Sequence, residues 1–98
     1  MRTIYKYPLE VKDGQTIYIK GLVERNALVR SCEQVVHVGV QGRTPCIWCL
    51  VDDERKERPV RVVIHGTGHN ADETVGKMKC VGSFTLLDGK FVGHVFLP

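Results

Sequence analysis

Gly66-Thr67-Gly68-His69-Asn70 is the stretch of this chain best suited to holding a ligand. Paired glycines let a backbone approach a bound group closely and turn its amide N–H groups toward an anion. Thr67, His69, Asn70 and the preceding His65 add polar side chains, and Arg61 or Lys77 would supply positive charge for a small anionic ligand. The pattern is not a Walker A loop, which needs Lys-Ser/Thr after its last glycine. Nor is it a dinucleotide fingerprint, which needs a helix next. The same residues also suit a plain turn, with glycine for its backbone angles and His69 or Asn70 bonded to the main chain.

Cys46-Ile47-Trp48-Cys49 has the spacing of a metal knuckle or a redox pair. A knuckle needs both thiolates turned to one point, whereas residues three apart in an extended strand point to opposite faces. A thioredoxin-type pair sits where a strand feeds a helix, and no helix follows here. Cys32 and Cys80 do not repeat the paired spacing, so the cysteines read as core and no metal or cofactor is assigned. His94 is expected on a strand opposite Ser83. Catalysis there would need an orienting carboxylate, which the sequence does not offer. His94 and His37 therefore read as hydrogen-bonded strand histidines. With no acid/base or nucleophile constellation, the expectation is a protein that is not an enzyme.

The elements that must carry these residues read as strands. Pro45–Asp52, a short apolar run between a proline and the charged segment 52–58, suits a strand buried on both faces. It is expected in the middle of a small sheet, with the runs at Val36–Val40 and Val60–Ile64 beside it. Tyr5, Tyr7, Leu9 and Val11 share one parity, and Pro8 marks that strand as an edge. Asp13-Gly14 is a two-residue hairpin signal leading to Gln15–Lys20, with Ile17 and Ile19 inward. Residues 21–33 suit either one or two helical turns or a loop.

Val36, Val38 and Val40 form a valine face, and the turn at Gln41–Pro45 joins that strand to the tryptophan strand as a hairpin. In Pro59–His65, Val60, Val62 and Ile64 face one way and Arg61, Val63 and His65 the other. A closing hairpin, Lys79–Leu87 with Lys90–Leu97, turns at Asp88-Gly89. It sets Leu86 opposite Phe91, Phe84 opposite Gly93, and Ser83 opposite His94. Trp48 and the other aromatic residues read as core. The sum is all-β, a small antiparallel sandwich or partly open barrel of about seven strands with at most one short helix.

Ninety-eight residues make one domain. No apolar run approaches the roughly 20 residues that span a bilayer, and the N-terminus lacks a secretory signal, so a cytoplasmic location is expected. The net charge of +3 comes from interspersed acids and bases. Basic residues are not gathered on one face or interleaved with aromatics, which argues against nucleic acid. Edge strands such as the one holding Pro8 suit pairing with a second copy, a homodimer.

Several phrases carry a resemblance: Lys6-Tyr7-Pro8-Leu9-Glu10-Val11, Leu50-Val51-Asp52 behind Trp48, Gly66-Thr67-Gly68-His69, Val81-Gly82-Ser83-Phe84, and Val92-Gly93-His94-Val95-Phe96. In this order and spacing the chain resembles a small family of single-domain proteins of unknown function encoded by bacteriophages and bacteria. It departs from that pattern at 21–35, at Ser83 in place of threonine, and at Gly93 in place of a large aromatic. The resemblance implies a compact β fold, a phage or prophage origin and no established activity. By analogy with other small phage proteins, the expectation is an accessory protein that binds a host protein, with inhibition as one consequence of that binding. The other expectation is a protein that sequesters a small molecule or nucleotide at Gly66–Asn70.

Overall fold

The computed structural model describes residues 1–21, 31–69 and 73–98. Among the described residues, seven strands form two antiparallel sheets. They are β1 (Arg2–Pro8), β2 (Gly14–Lys20), β3 (Val35–Gln41), β4 (Thr44–Asp52), β5 (Glu57–Gly66), β6 (Lys79–Leu86) and β7 (Phe91–Leu97). One sheet has the order β1-β4-β3 and the other β2-β5-β7-β6. The result is an all-β sandwich, not a closed barrel. A single helical turn, α1 (Glu73–Gly76), precedes β6, and no helix among the described residues is long and apolar enough to cross a membrane. Ser31–Gln34 is a 3-10 turn; most of the segment read as helical turns or loop lies outside the described residues.

Period-two burial explains which face each strand turns inward. Ile47, Cys49 and Val51 of β4 meet Val60, Val62 and Ile64 of β5, with Phe84, Val95 and Leu97, in one core. Burial pushes the Cys49 thiol up to about 12. Cys46 lies on the opposite face of β4, so the two thiols do not converge. Among the described residues no group of metal-ligating side chains assembles.

β4 is the middle strand of its sheet, but its second neighbour is β1; β5 belongs to the other sheet. The expected β1–β2 hairpin at Asp13-Gly14 does not form. The chain instead crosses between sheets, and the buried Gln15 side chain makes the corner. Its Oε1 accepts from Glu10 N at 3.0 Å and its Nε2 donates to Glu10 O at 2.7 Å. One amide side chain thus satisfies both backbone groups that a hairpin partner would have taken.

The valine face of β3 is also displaced. A bulge between Val35 and His37 turns Val36 to solvent and puts Val35 inward with Val38 and Val40. The outer face of β4 is only half covered: Trp48 packs against His37, with ring centroids 5.0 Å apart, instead of entering the core. Tyr18 is 59% exposed. Phe84 is buried, and Phe91 and Tyr7 pack against the core.

The two lateral sides of the sandwich differ. β3 and β6 run in contact, so closely that a Cβ on Gly82 would lie 2.7 Å from Val38. On the other side β1 and β2 remain edge strands, linked where Lys20 N donates to the Tyr7 hydroxyl at 3.2 Å.

Candidate binding site at the loop end

Four connections meet at one end of the sandwich because β1 crosses between sheets there. Leu9 N donates to Pro45 O at 2.8 Å, and Ile64 N donates to Asp13 O at 2.9 Å. These bonds tie the 9–13 corner to β4 on one side and to β5 on the other. The β3–β4 tip, the Gly66–His69 turn and the β6–β7 tip complete the cluster. Loops grouped at the end of a rigid sandwich are the usual place for recognition.

Each turn follows from its glycine. Gly42 at φ +65° opens a two-residue hairpin loop with Arg43, the type II′ arrangement. In Gly66–His69, His69 N donates to Gly66 O at 3.1 Å and Gly68 takes φ +85°, as a type II turn requires. Gly66 has a separate reason to be glycine: a Cβ there would sit 2.8 Å from the His69 ring and 3.1 Å from Phe91.

The residues of the glycine-bearing loop separate in space. His69 packs toward Phe91, with ring centroids 6.4 Å apart, and lines a cleft of about 170 Å³ with Gly66, Ile64, Lys12 and Asp13. Thr67 turns away, and its Oγ1 is hydrogen-bonded to His94 Nε2 at 2.7 Å. The other ring nitrogen of His94, Nδ1, bonds Ser83 Oγ at 2.8 Å, in the register expected from the sequence. A neutral imidazole has one donor and one acceptor, so two hydroxyls satisfy it completely.

Arg61 is not at this loop. Its guanidinium lies over the backbone of Gly14. Asn70 lies outside the described residues. Lys12 is the cation that lines the cleft. It is paired with Glu10 at 2.8 Å, and that hydrogen bond holds the Glu10 carboxyl below its ordinary range.

A larger cleft, about 590 Å³, separates the two hairpin tips, with Val40, Arg43, Thr85, Leu86 and Asp88 in its lining. Leu87 stands at its rim, 72% exposed and at φ +56°. Asp88 at φ +54° and Gly89 at φ +88° make the type I′ turn that Lys90 N closes on Leu87 O at 3.1 Å. Asp88 and Gly89 suit their angles; Leu87 does not. A non-glycine residue in this region costs about 1–2 kcal/mol. Arg43, Leu87, Lys12 and Asp13 carried no signal of a binding site, because only the tertiary fold brings them to one end.

No curated protein and no solved structure matches the chain significantly. A family model does match, over residues 1–98, and the chain belongs to the family described as a domain of unknown function, DUF7352.

Proposed function

We propose that this chain is a small accessory protein of bacteriophage or bacterial origin. It acts without turnover, by binding a host protein through its loop end and so inhibiting it. One observation carries the reading. Leu87 holds an apolar side chain in solvent, 72% exposed, on backbone that leucine disfavours. Strained residues of this kind concentrate at ligand clamps and binding loops. The cleft beside it offers apolar walls with Arg43 and Asp88 as opposite charges, which suits a partner's apolar side chain with polar neighbours.

Sequestration of a nucleotide at Gly66–Asn70 has weaker support. The cleft at His69 is about 170 Å³, below the roughly 300–1,000 Å³ of small-molecule sites. Arg61 does not reach it.

The test is capture of partners on a tagged chain expressed in a bacterial host, beside Leu87→Asn and Arg43→Glu. Asparagine tolerates the left-handed region, so Leu87→Asn should fold as well as wild type while losing the partner. Equal retention by all three chains, or turnover by the purified protein, would sink the reading.

A further inference from the structure

The geometry points to β1 as an interface between two copies of this chain, pairing antiparallel about Tyr5 and joining two three-stranded sheets into one. This does not depend on the loop-end reading.

Which backbone groups of β1 are open follows from two hydrogen bonds. Leu9 N donates to Pro45 O at 2.8 Å and Asp53 N donates to Met1 O at 3.1 Å, so the odd-numbered residues of β1 bond β4. A residue in an antiparallel ladder directs its N–H and C=O to the same side. The groups of Ile4 and Lys6 therefore face away from β4, where no strand among the described residues pairs with them. Pro8 belongs to the same set, and its missing N–H falls on the open edge, where proline is tolerated.

The other edge on this side is already blunted. In β2 the outward N–H of Lys20 is bonded to the Tyr7 hydroxyl. Lysine on an edge commonly discourages pairing, yet Lys6 extends its ammonium across the sheet to a hydrogen bond with Gln41. The ammonium stays on the outer face of the sheet, so in a paired edge its charge limits which residues can stand opposite Lys6. Ile4 is 53% exposed, and the half-exposed Tyr5 is its neighbour.

Charge selects the register. Two copies related by a twofold axis through the sheet keep their faces aligned only when opposed residues share parity. Centred on Ile4, the axis sets Arg2 against Lys6 of the second copy. Centred on Lys6, it sets the two Lys6 residues against each other. Like charges directly opposite are destabilising. Centred on Tyr5, it sets Ile4 against Lys6, Thr3 against Tyr7, and Tyr5 on its own copy. Ile4 and Lys6 then exchange both backbone bonds, and the arrangement closes as a dimer without further open growth along β1.

Native mass spectrometry and light scattering on the whole chain should give twice the 11.0 kDa chain mass. Ile4→Lys creates two like-charge pairs with Lys6 by symmetry and should raise the dissociation constant by about tenfold or more. Ile4→Glu should lower it, with the gain lost in high salt. At the twofold axis the Tyr5 residues form a non-hydrogen-bonded pair, whose Cα spacing of about 4.5 Å falls within disulfide range. In a Cys49→Ala, Cys80→Ser background, Tyr5→Cys should therefore cross-link between chains under mild oxidation, with circular dichroism confirming the fold. A monomer at every soluble concentration, a dimer indifferent to Ile4→Lys, or no cross-link would overturn the assignment.

Discussion

The sandwich has one sealed lateral side and one open one, and they solve the same problem differently. On the sealed side β3 and β6 approach until Gly82 has no room for a Cβ beside Val38, so two sheet edges cover each other. On the open side β1 and β2 stand apart, joined where Tyr7 reaches Lys20. Most exposed large apolar residues among those described lie on the open side: Met1, Ile4, Tyr5, Val11 and Tyr18 sit at β1, β2 or the corner between them, while Val36 on β3 and Leu87 at the β6–β7 tip do not. An edge closed from within needs small residues. The open edge keeps most of the large ones.

The largest effect should come from filling the sealed side. Gly82→Ala drives a Cβ into Val38 and should cost about 1–3 kcal/mol in denaturant unfolding, with Val38→Ala in the same chain recovering part of the loss. If Gly82→Ala is neutral, the seal is looser than the contact implies.

Next in size is an alkaline effect next to the open edge. Cys49 lies opposite Tyr5 on β1 yet is fully buried. Its pKa is raised from 9.0 to about 12 in the folded protein. Below pH 9 both states hold the proton. Above it the unfolded chain releases the proton first, so stability should fall with rising pH toward 12, by at most about 1.4 kcal/mol per pH unit. Cys49→Ala should flatten that slope. In the same folded protein Cys80, exposed on the sealed side, should react with a thiol reagent while Cys49 does not.

Tyr7→Phe removes the bond that links the open edges and should cost about 1 kcal/mol. Leu87→Gly, at the loop tip that follows β6, should raise stability by about 0.5 kcal/mol, since relief of the left-handed strain exceeds glycine's added chain entropy. Smallest of all, Ile4→Lys should leave the isolated monomer within about 0.5 kcal/mol of wild type. A large loss there would mean that β1 is held by more than its pairing with β4.

Local patterns reported strands well and sheets poorly. Alternation of apolar and polar residues identified the core faces of β2 and β5. The Asp88-Gly89 turn set the register of the last hairpin, including Phe84 over Gly93, where a Cβ would lie 2.6 Å from the ring. Asp13-Gly14 carries the same hairpin signal as Asp88-Gly89, but at the first site burial of Gln15 and pairing with β5 prevail over the local turn preference. The bulge at Val36 left no trace in the sequence, because one extra residue on a valine-rich strand changes parity without changing composition. At the site, glycines revealed the 66–69 turn. Leu87 stayed hidden because leucine is the wrong residue for its backbone angles.

The crossing of the chain at Gln15 also sets an order of events during synthesis. β1 must wait for Thr44–Asp52 and β2 for Glu57–Gly66, whereas β3–β4 and β6–β7 close as local hairpins. Non-local pairings form late because chain closure must precede their gain. Mutational Φ analysis should therefore give Ile19→Val a lower value than Val95→Ala. At ribosomal speeds of about 5–20 residues per second, the two strands with the most exposed apolar surface remain unpaired for several seconds. The N-terminal third of the chain is thus the part most in need of a chaperone's shelter.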